Sequence, residues 1–155
     1  MLGIPRFARN DHLKMVTFLL DIVTPDRIAF SEEVEMVSVP SAMGQLGILP
    51  HHIPLFAKLG EGELKIVKNG KETFLSIGAG FLEVTKEKTT VLITRAVHQD
   101  ELNEEEIVRA KKEAEEALKQ KPAGEMKISA EAAFRRSLID LKVLRRRRQM
   151  PPFSG

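Results

Sequence analysis

Apolar residues follow two rhythms along this chain, and the change comes near Asp100. Residues 17–23 form an apolar run closed by Thr24-Pro25-Asp26, a turn signal. Residues 27–30 and 34–39 are rich in Val, Ile, Phe and Met, and Pro40 ends the second run. Residues 63–68 alternate, with Leu64 and Ile66 apolar and Lys65 polar between them. Asn69-Gly70 follows, then a further run over 73–77; Asn-Gly between two such runs marks a hairpin, because a type I′ turn needs positive φ at both central residues. Residues 81–85 and 89–94 flank Lys86-Glu87-Lys88 as a second hairpin. Short strands at this spacing, with no helical period between them, predict an antiparallel sandwich or barrel.

Beyond Asp100 the period becomes helical. Asn103-Glu104-Glu105-Glu106 has the form of a capping box. Ile107, Ala110, Ala114, Ala117 and Leu118 then fall three and four apart, on one helix face. Pro122 and Gly124 break this helix. Ser129 is the candidate cap of a second, with Ala133, Phe134, Leu138, Leu141 and Leu144 as its apolar face. Pro151-Pro152 stops it. The organisation predicted is a leader over 1–14, a β-sandwich over 15–100, a two-helix hairpin over 101–150 and a tail over 151–155. The first helix face is mostly alanine. At about 25 cal/mol per Å² of apolar surface it gains only modestly from docking, so the hairpin is expected to be able to detach or exchange partners.

Charge sharpens the boundary. The 155 residues carry a formal charge of only +2. Residues 101–118 sum to −4 and residues 119–155 to +7, so an acidic block precedes a basic one. The near-neutral total argues against a dedicated nucleic-acid binder. The absence of cysteine excludes disulfides, thiol nucleophiles and Cys-based metal sites. No run approaches the roughly 18–20 apolar residues that span a bilayer. The leader, mildly basic, lacks the apolar stretch of a signal peptide.

Candidate chemistry is sparse. His51 and His52, read as neighbours on a strand, point to opposite faces and cannot share a metal, so no metal site is expected. Gly78-Ala79-Gly80 lacks the third glycine of a dinucleotide fingerprint and reads as a turn or bulge. No nucleophile–base or paired-carboxylate set can be assembled. Arg145, Arg146, Arg147 and Arg148 are the sharpest charge feature: either a solvated helix end or a docking surface for an acidic partner or for phosphates.

One segment carries a resemblance. Met43-Gly44-Gln45-Leu46-Gly47-Ile48-Leu49-Pro50-His51-His52-Ile53-Pro54-Leu55 is similar to the signature of the epsilon subunit of F-type ATP synthases. Phe18-Leu19-Leu20-Asp21-Ile22-Val23, Gly62-Glu63-Leu64-Lys65-Ile66, Gly80-Phe81-Leu82-Glu83-Val84 and Thr90-Val91-Leu92-Ile93 resemble that family in the same order. The resemblance implies an α+β fold: an N-terminal antiparallel β-sandwich of about ten strands followed by a C-terminal antiparallel two-helix hairpin.

It also implies a non-catalytic rotor component of the central stalk, beside the gamma subunit and on the ring of c subunits. That places the chain peripherally, at the cytoplasmic face of a bacterial inner membrane, with no cofactor and no nucleic acid. Ala42, Met43, Gly44 and Gln45 inherit the ring contact; Gln45 stands where some members carry an acid. Leu46, Gly47, Ile48, Pro50, His52 and Pro54 form the signature turn, His52 fixing it. In the family the hairpin folds on the sandwich or extends along gamma into the alpha/beta head, where it blocks hydrolysis. Arg135, Arg136, Arg145, Arg146, Arg147 and Arg148 supply the cations for that role. Some members bind ATP on the folded hairpin; here Arg109 and Ala110 match their motif, Glu106 replaces its Asp, and Arg136 is a further charge partner.

Overall fold

The computed structural model describes residues 16–149, the last three by backbone alone. The leader and the tail fall outside the described residues. Ten strands come first: β1 (Phe18–Val23), β2 (Ile28–Val34), β3 (Met36–Ser41), β4 (Gly44–Ile48), β5 (Leu55–Leu59), β6 (Gly62–Lys68), β7 (Lys71–Ile77), β8 (Gly80–Val84), β9 (Lys88–Ile93) and β10 (Ala96–His98). A 3-10 turn, Gln99–Glu101, leads into helices α1 (Glu104–Lys119) and α2 (Glu125–Gln149).

The strands run in the order β10-β7-β6-β3-β5-β8-β9-β1-β2, with β4 also on β3. The pivot is β3. Met36, Val37 and Ser38 pair with β6, whereas Ser41 pairs with Leu59 of β5, so β3 carries the sheet from one layer to the other. The β1–β9 pair is parallel; the other pairs are antiparallel. Alternation decides what faces inward. Leu20, Ile22, Val37, Val39, Leu64, Ile66, Leu82 and Val91 fill the space between the layers with almost no exposure.

The local signals hold where expected. Asn69 and Gly70 have φ of 54° and 74°, as a type I′ turn requires. The β8–β9 hairpin closes through the Thr85 amide to the Lys88 carbonyl, 2.9 Å. Gly78-Ala79-Gly80 forms a bend, and Gly80 is needed there: a Cβ would lie 1.9 Å from the Leu92 carbonyl oxygen.

Four expectations are corrected. The break between β2 and β3 falls at Glu35, not across residues 31–33, because Glu35 turns inward and its carboxylate accepts from the Asn69 and Gly70 amides, at 2.8 and 3.2 Å. Ser129 is not a cap: α2 begins at Glu125, directly after Gly124, whose φ is 62°. Its buried face is also rotated. Leu138 is exposed, while Ala130, Ser137, Asp140, Val143 and Leu144 are buried. The polar pair Ser137 and Asp140 hid this face from a hydrophobic count. On α1 only Ile107 and Ala114 are buried; Ala110 and Ala117 are exposed.

Candidate interaction surfaces

The β3–β4 turn projects from the sandwich. Ala42, Met43, Gly44 and Gln45 are all exposed, Met43 by 98%. Ser41 locks the turn by donating its hydroxyl to the Gly44 carbonyl, 2.6 Å, while its oxygen accepts from the Met43 amide. Gly44, at φ 110°, supplies a backbone that a side chain rarely allows. Met43 is thus a large apolar side chain held out from the sandwich on a fixed turn, a geometry open to contact with another surface.

The signature residues divide between core and turn. Ile48 is buried, and Leu46 packs against the core. Pro50, His51, His52 and Pro54 shape the connection from β4 to β5. His51 and His52 are therefore on a turn and not on a strand, His51 at φ 64°. His52 fastens the turn: its amide donates to the Leu49 carbonyl at 3.2 Å, and its Nδ1 lies 2.7 Å from the Ile53 carbonyl. No metal-holding cluster of His, Asp or Glu occurs among the described residues.

A second surface went unread in the sequence. Ile28, Val23, Leu92 and Phe81 are linked by strand register, Val23 pairing with both Ile28 and Leu92, and Leu92 with Phe81. Phe81 stacks on Phe56 of β5, ring centroids 5.4 Å apart. The result is an apolar band across five adjacent strands, β2, β1, β9, β8 and β5, on the outer face. Phe56 is 65% exposed. The available signal was one apolar residue at an outward position in each of these strands, where solvent-facing strands normally alternate to polar.

The third surface is the hairpin's seat. α2 lies on the outside of β6 and β7, so Phe74, Leu75, Ser76 and Ile77 are buried in succession, on both faces of β7. Phe74, Leu102, Ile107, Val143 and Leu144 form a small apolar cluster there. Around it sit three ion pairs. Arg95 donates Nη1 and Nη2 to the two Asp140 oxygens, at 3.1 and 2.8 Å, and Ser76 donates to the same carboxylate at 2.5 Å. Arg146 grips Glu63 through Nε and Nη2 at 3.0 and 3.1 Å, its guanidinium 5.2 Å from the centre of the Phe74 ring. Arg135 Nε reaches Glu61 at 2.6 Å. The hydrogen bonds from Arg146 to Glu63 and from Arg135 to Glu61 raise both guanidinium pKa values further above their ordinary value.

Of the remaining basic residues, Arg136 and Arg145 are exposed, and the side chains of Arg147 and Arg148 lie outside the described residues. Arg109 is exposed as well. The structure brings neither Arg109 nor Arg136 into an ion pair among the described residues. Ala110 lines an open groove of about 530 Å³ between α1 and α2, with Glu113, Ala114 and Met126. The Glu106 amide donates to the Asn103 side chain at 3.1 Å, forming the first half of the expected capping box. A complete box stands one turn earlier: Asp100 donates its amide to His98, and the His98 amide donates to Glu101.

Residues 17–99 match the family described as the beta-sandwich domain of the ATP synthase delta/epsilon chain. The chain is 44% identical over 132 residues to the ATP synthase epsilon chain of Herpetosiphon aurantiacus, covering 84% of this chain and 97% of that one. It is 40% identical over 138 residues to the epsilon chain of Dehalococcoides mccartyi, covering 88% and 99%. In shape it is similar to a chain in the Euglena gracilis mitochondrial ATP synthase OSCP/F1/c-ring structure, with TM-score 0.60, 22% identity, and coverage of 83% of this chain and 78% of that one.

Proposed function

This chain belongs to the family of ATP synthase epsilon chains, and on that premise we propose that it is a non-catalytic rotor component of the central stalk. In this reading it couples proton-driven rotation of the c-ring to ATP synthesis in the catalytic head. The observation that carries it is the near-full-length identity to epsilon chains, covering sandwich and hairpin together. The surfaces are consistent with it. The Met43 turn suits the c-ring contact, and the apolar band from Ile28 to Phe56 suits burial against the gamma subunit. Among the described residues no helix is long and apolar enough to cross a membrane. In the stalk reading the chain sits peripherally at the cytoplasmic face of the bacterial inner membrane, held there through the complex.

The hairpin is proposed as a brake on ATP hydrolysis. Released from the sandwich, α2 would offer Arg135, Arg136, Arg145, Arg146, Arg147 and Arg148 to an acidic surface of the alpha/beta head. The test is co-purification with gamma, followed by ATPase assay of the complex with and without residues 101–155. Faster hydrolysis on truncation is expected. Unchanged hydrolysis removes the brake and leaves the stalk role standing; failure to co-purify removes the stalk role.

ATP as a regulatory ligand of the hairpin is a secondary proposal, resting on the groove beside Ala110 and the neighbouring exposed Arg109. It predicts a thermal upshift of the isolated chain in millimolar ATP that Arg109→Ala or Arg136→Ala removes. No shift counts against it.

A further inference from the structure

The seam between α2 and the sandwich sets charges around an apolar cluster, and the charges cross it in both directions. The sandwich gives Arg95 to Asp140 of α2; α2 gives Arg135 to Glu61 and Arg146 to Glu63 of the sandwich. Asp140 is 6% exposed and Glu63 7%. Glu63 lies on β6 beneath the docked helix, and Asp140 on the face of that helix turned toward Arg95 and Ser76 of the sandwich. Each Asp140 oxygen is filled, by Arg95 and Ser76, and no buried side-chain polar atom among the described residues lacks a partner. The apolar part of the seam is the cluster of Phe74, Leu102, Ile107, Val143 and Leu144.

We propose that these three pairs form an ionic latch, with Asp140 as its keystone, that sets how often the hairpin leaves the sandwich. The physics favours reversibility. A buried ion pair adds little net stability over an apolar replacement, because its attraction is offset by desolvation. Its separated halves, however, are welcome in water. An apolar contact resists opening more strongly the larger it becomes, whereas the charged part of this seam exchanges ion pairs for hydration. The bidentate geometry at Asp140 and Glu63 also fixes the register of α2 on β6 and β7.

The latch is a shield as well. Arg135 and Arg146 belong to the basic set proposed for the acidic partner, and in the docked state Glu61 and Glu63 already occupy them. The sandwich thus presents its own acidic surface and competes for the same cations. This deepens the hairpin's proposed regulatory role and rests on that reading only for its biological purpose; the docking equilibrium is a property of the chain alone.

The test uses the full-length chain. It has no native cysteine, so Lys58→Cys and Lys112→Cys, both at exposed positions, can carry a donor and an acceptor dye. Energy transfer between them reports the docked fraction. Asp140→Asn is expected to raise the undocked-to-docked ratio about tenfold, the scale for weakening a partly buried charge pair. Arg146→Gln acts in the same direction. So does salt at about 1 M, where the Debye length falls to about 3 Å. The charge exchange Arg146→Glu with Glu63→Arg recovers docking. Because a variant can lose transfer by unfolding, circular dichroism of the strands is read alongside and is expected to stay unchanged. Transfer insensitive to both Asp140→Asn and salt, or loss of strand signal in step with transfer, overturns the latch. Neither result bears on the stalk assignment, which stands or falls on co-purification with gamma.

Discussion

Arg95 and Asp140 lie 45 residues apart, yet their side chains meet in a two-point contact across the seam between sandwich and hairpin. Arg95 keeps partial contact with water, and Asp140 has almost none. Breaking a fully buried pair costs about 3–5 kcal/mol and an exposed one about 0–1 kcal/mol. Arg95→Ala is therefore expected to cost about 2 kcal/mol of hairpin docking. The loss has a ceiling, since an undocked Asp140 is rehydrated. Hydrogen exchange should show α2 amides losing protection while β1, β8 and β9 amides keep theirs. Equal losses in both would mean the pair supports the whole fold.

The outer surfaces make an opposite pair of expectations. Met43→Glu changes a side chain that touches almost nothing in the chain, so its effect on unfolding free energy stays within about 0.5 kcal/mol. Phe81→Asp loses the stack on Phe56, a cost of about 0.5–1.5 kcal/mol beyond burial. Both are expected to weaken assembly far more than folding. Denaturant melts of the isolated chain beside pull-down yields of the complex check this; normal yields from both variants would remove these surfaces as contacts.

Gly80→Ala addresses the sandwich itself. A Cβ there would sit 1.9 Å from the Leu92 carbonyl oxygen and 2.8 Å from Ile93 Cα, both backbone atoms. Neither can rotate away, so the β8–β9 pairing must part locally. A loss of about 3 kcal/mol or more is expected, in the exceptional range for a single substitution. By contrast Gly47→Ala meets nothing within 4 Å and should be nearly silent. Similar melting midpoints for the two variants would contradict the crossing geometry.

Asp21 gives the chain a definite response to acid. The Ser31 hydroxyl donates to it at 2.6 Å and Lys88 at 2.9 Å, and these bonds hold its pKa below the ordinary value of 3.8. A depressed folded pKa means the unfolded chain binds the proton first. The stabilisation is complete above the unfolded value and drains away as pH falls from 3.8 through the folded value. Thermal midpoints should therefore drop more steeply in that window for the native chain than for Asp21→Asn. Parallel curves would show that the carboxylate is not selectively stabilised.

What the sequence disclosed follows from which interactions are local. The Asn69-Gly70 turn and the alternation at Leu64 and Ile66 needed only neighbouring residues, and both are as expected. β4, β5 and β10 carried no readable pattern of their own: Gly44 and Gly47 dilute the first, the second is a five-residue run between Pro54 and Gly60, and the third has three residues. The rotated face of α2 could not be read from apolar spacing, because its inward side chains at 137 and 140 are Ser and Asp: Ser137 donates to the Ala133 carbonyl within the helix, and Asp140 is made acceptable by Arg95 and Ser76 from elsewhere in the chain. The contact surfaces were legible only in part. The Met43 turn came from a resemblance, and the apolar band required knowing which strands are neighbours.

The parallel pairing of β1 with β9 has a consequence for how the protein is made. β1 leaves the ribosome early, but the strand on its other flank is among the last of the sandwich to appear. Until then β1 can hold only β2, and a lone two-strand hairpin is marginal in water. Closure therefore waits for nearly the whole sandwich to be synthesised, a long-range step that slows folding. During that wait Leu20 and Ile22, destined for the interior, stay open to other chains. Nascent sandwiches are thus most vulnerable to association just before β9 emerges, and a translational pause placed there would lengthen that exposure.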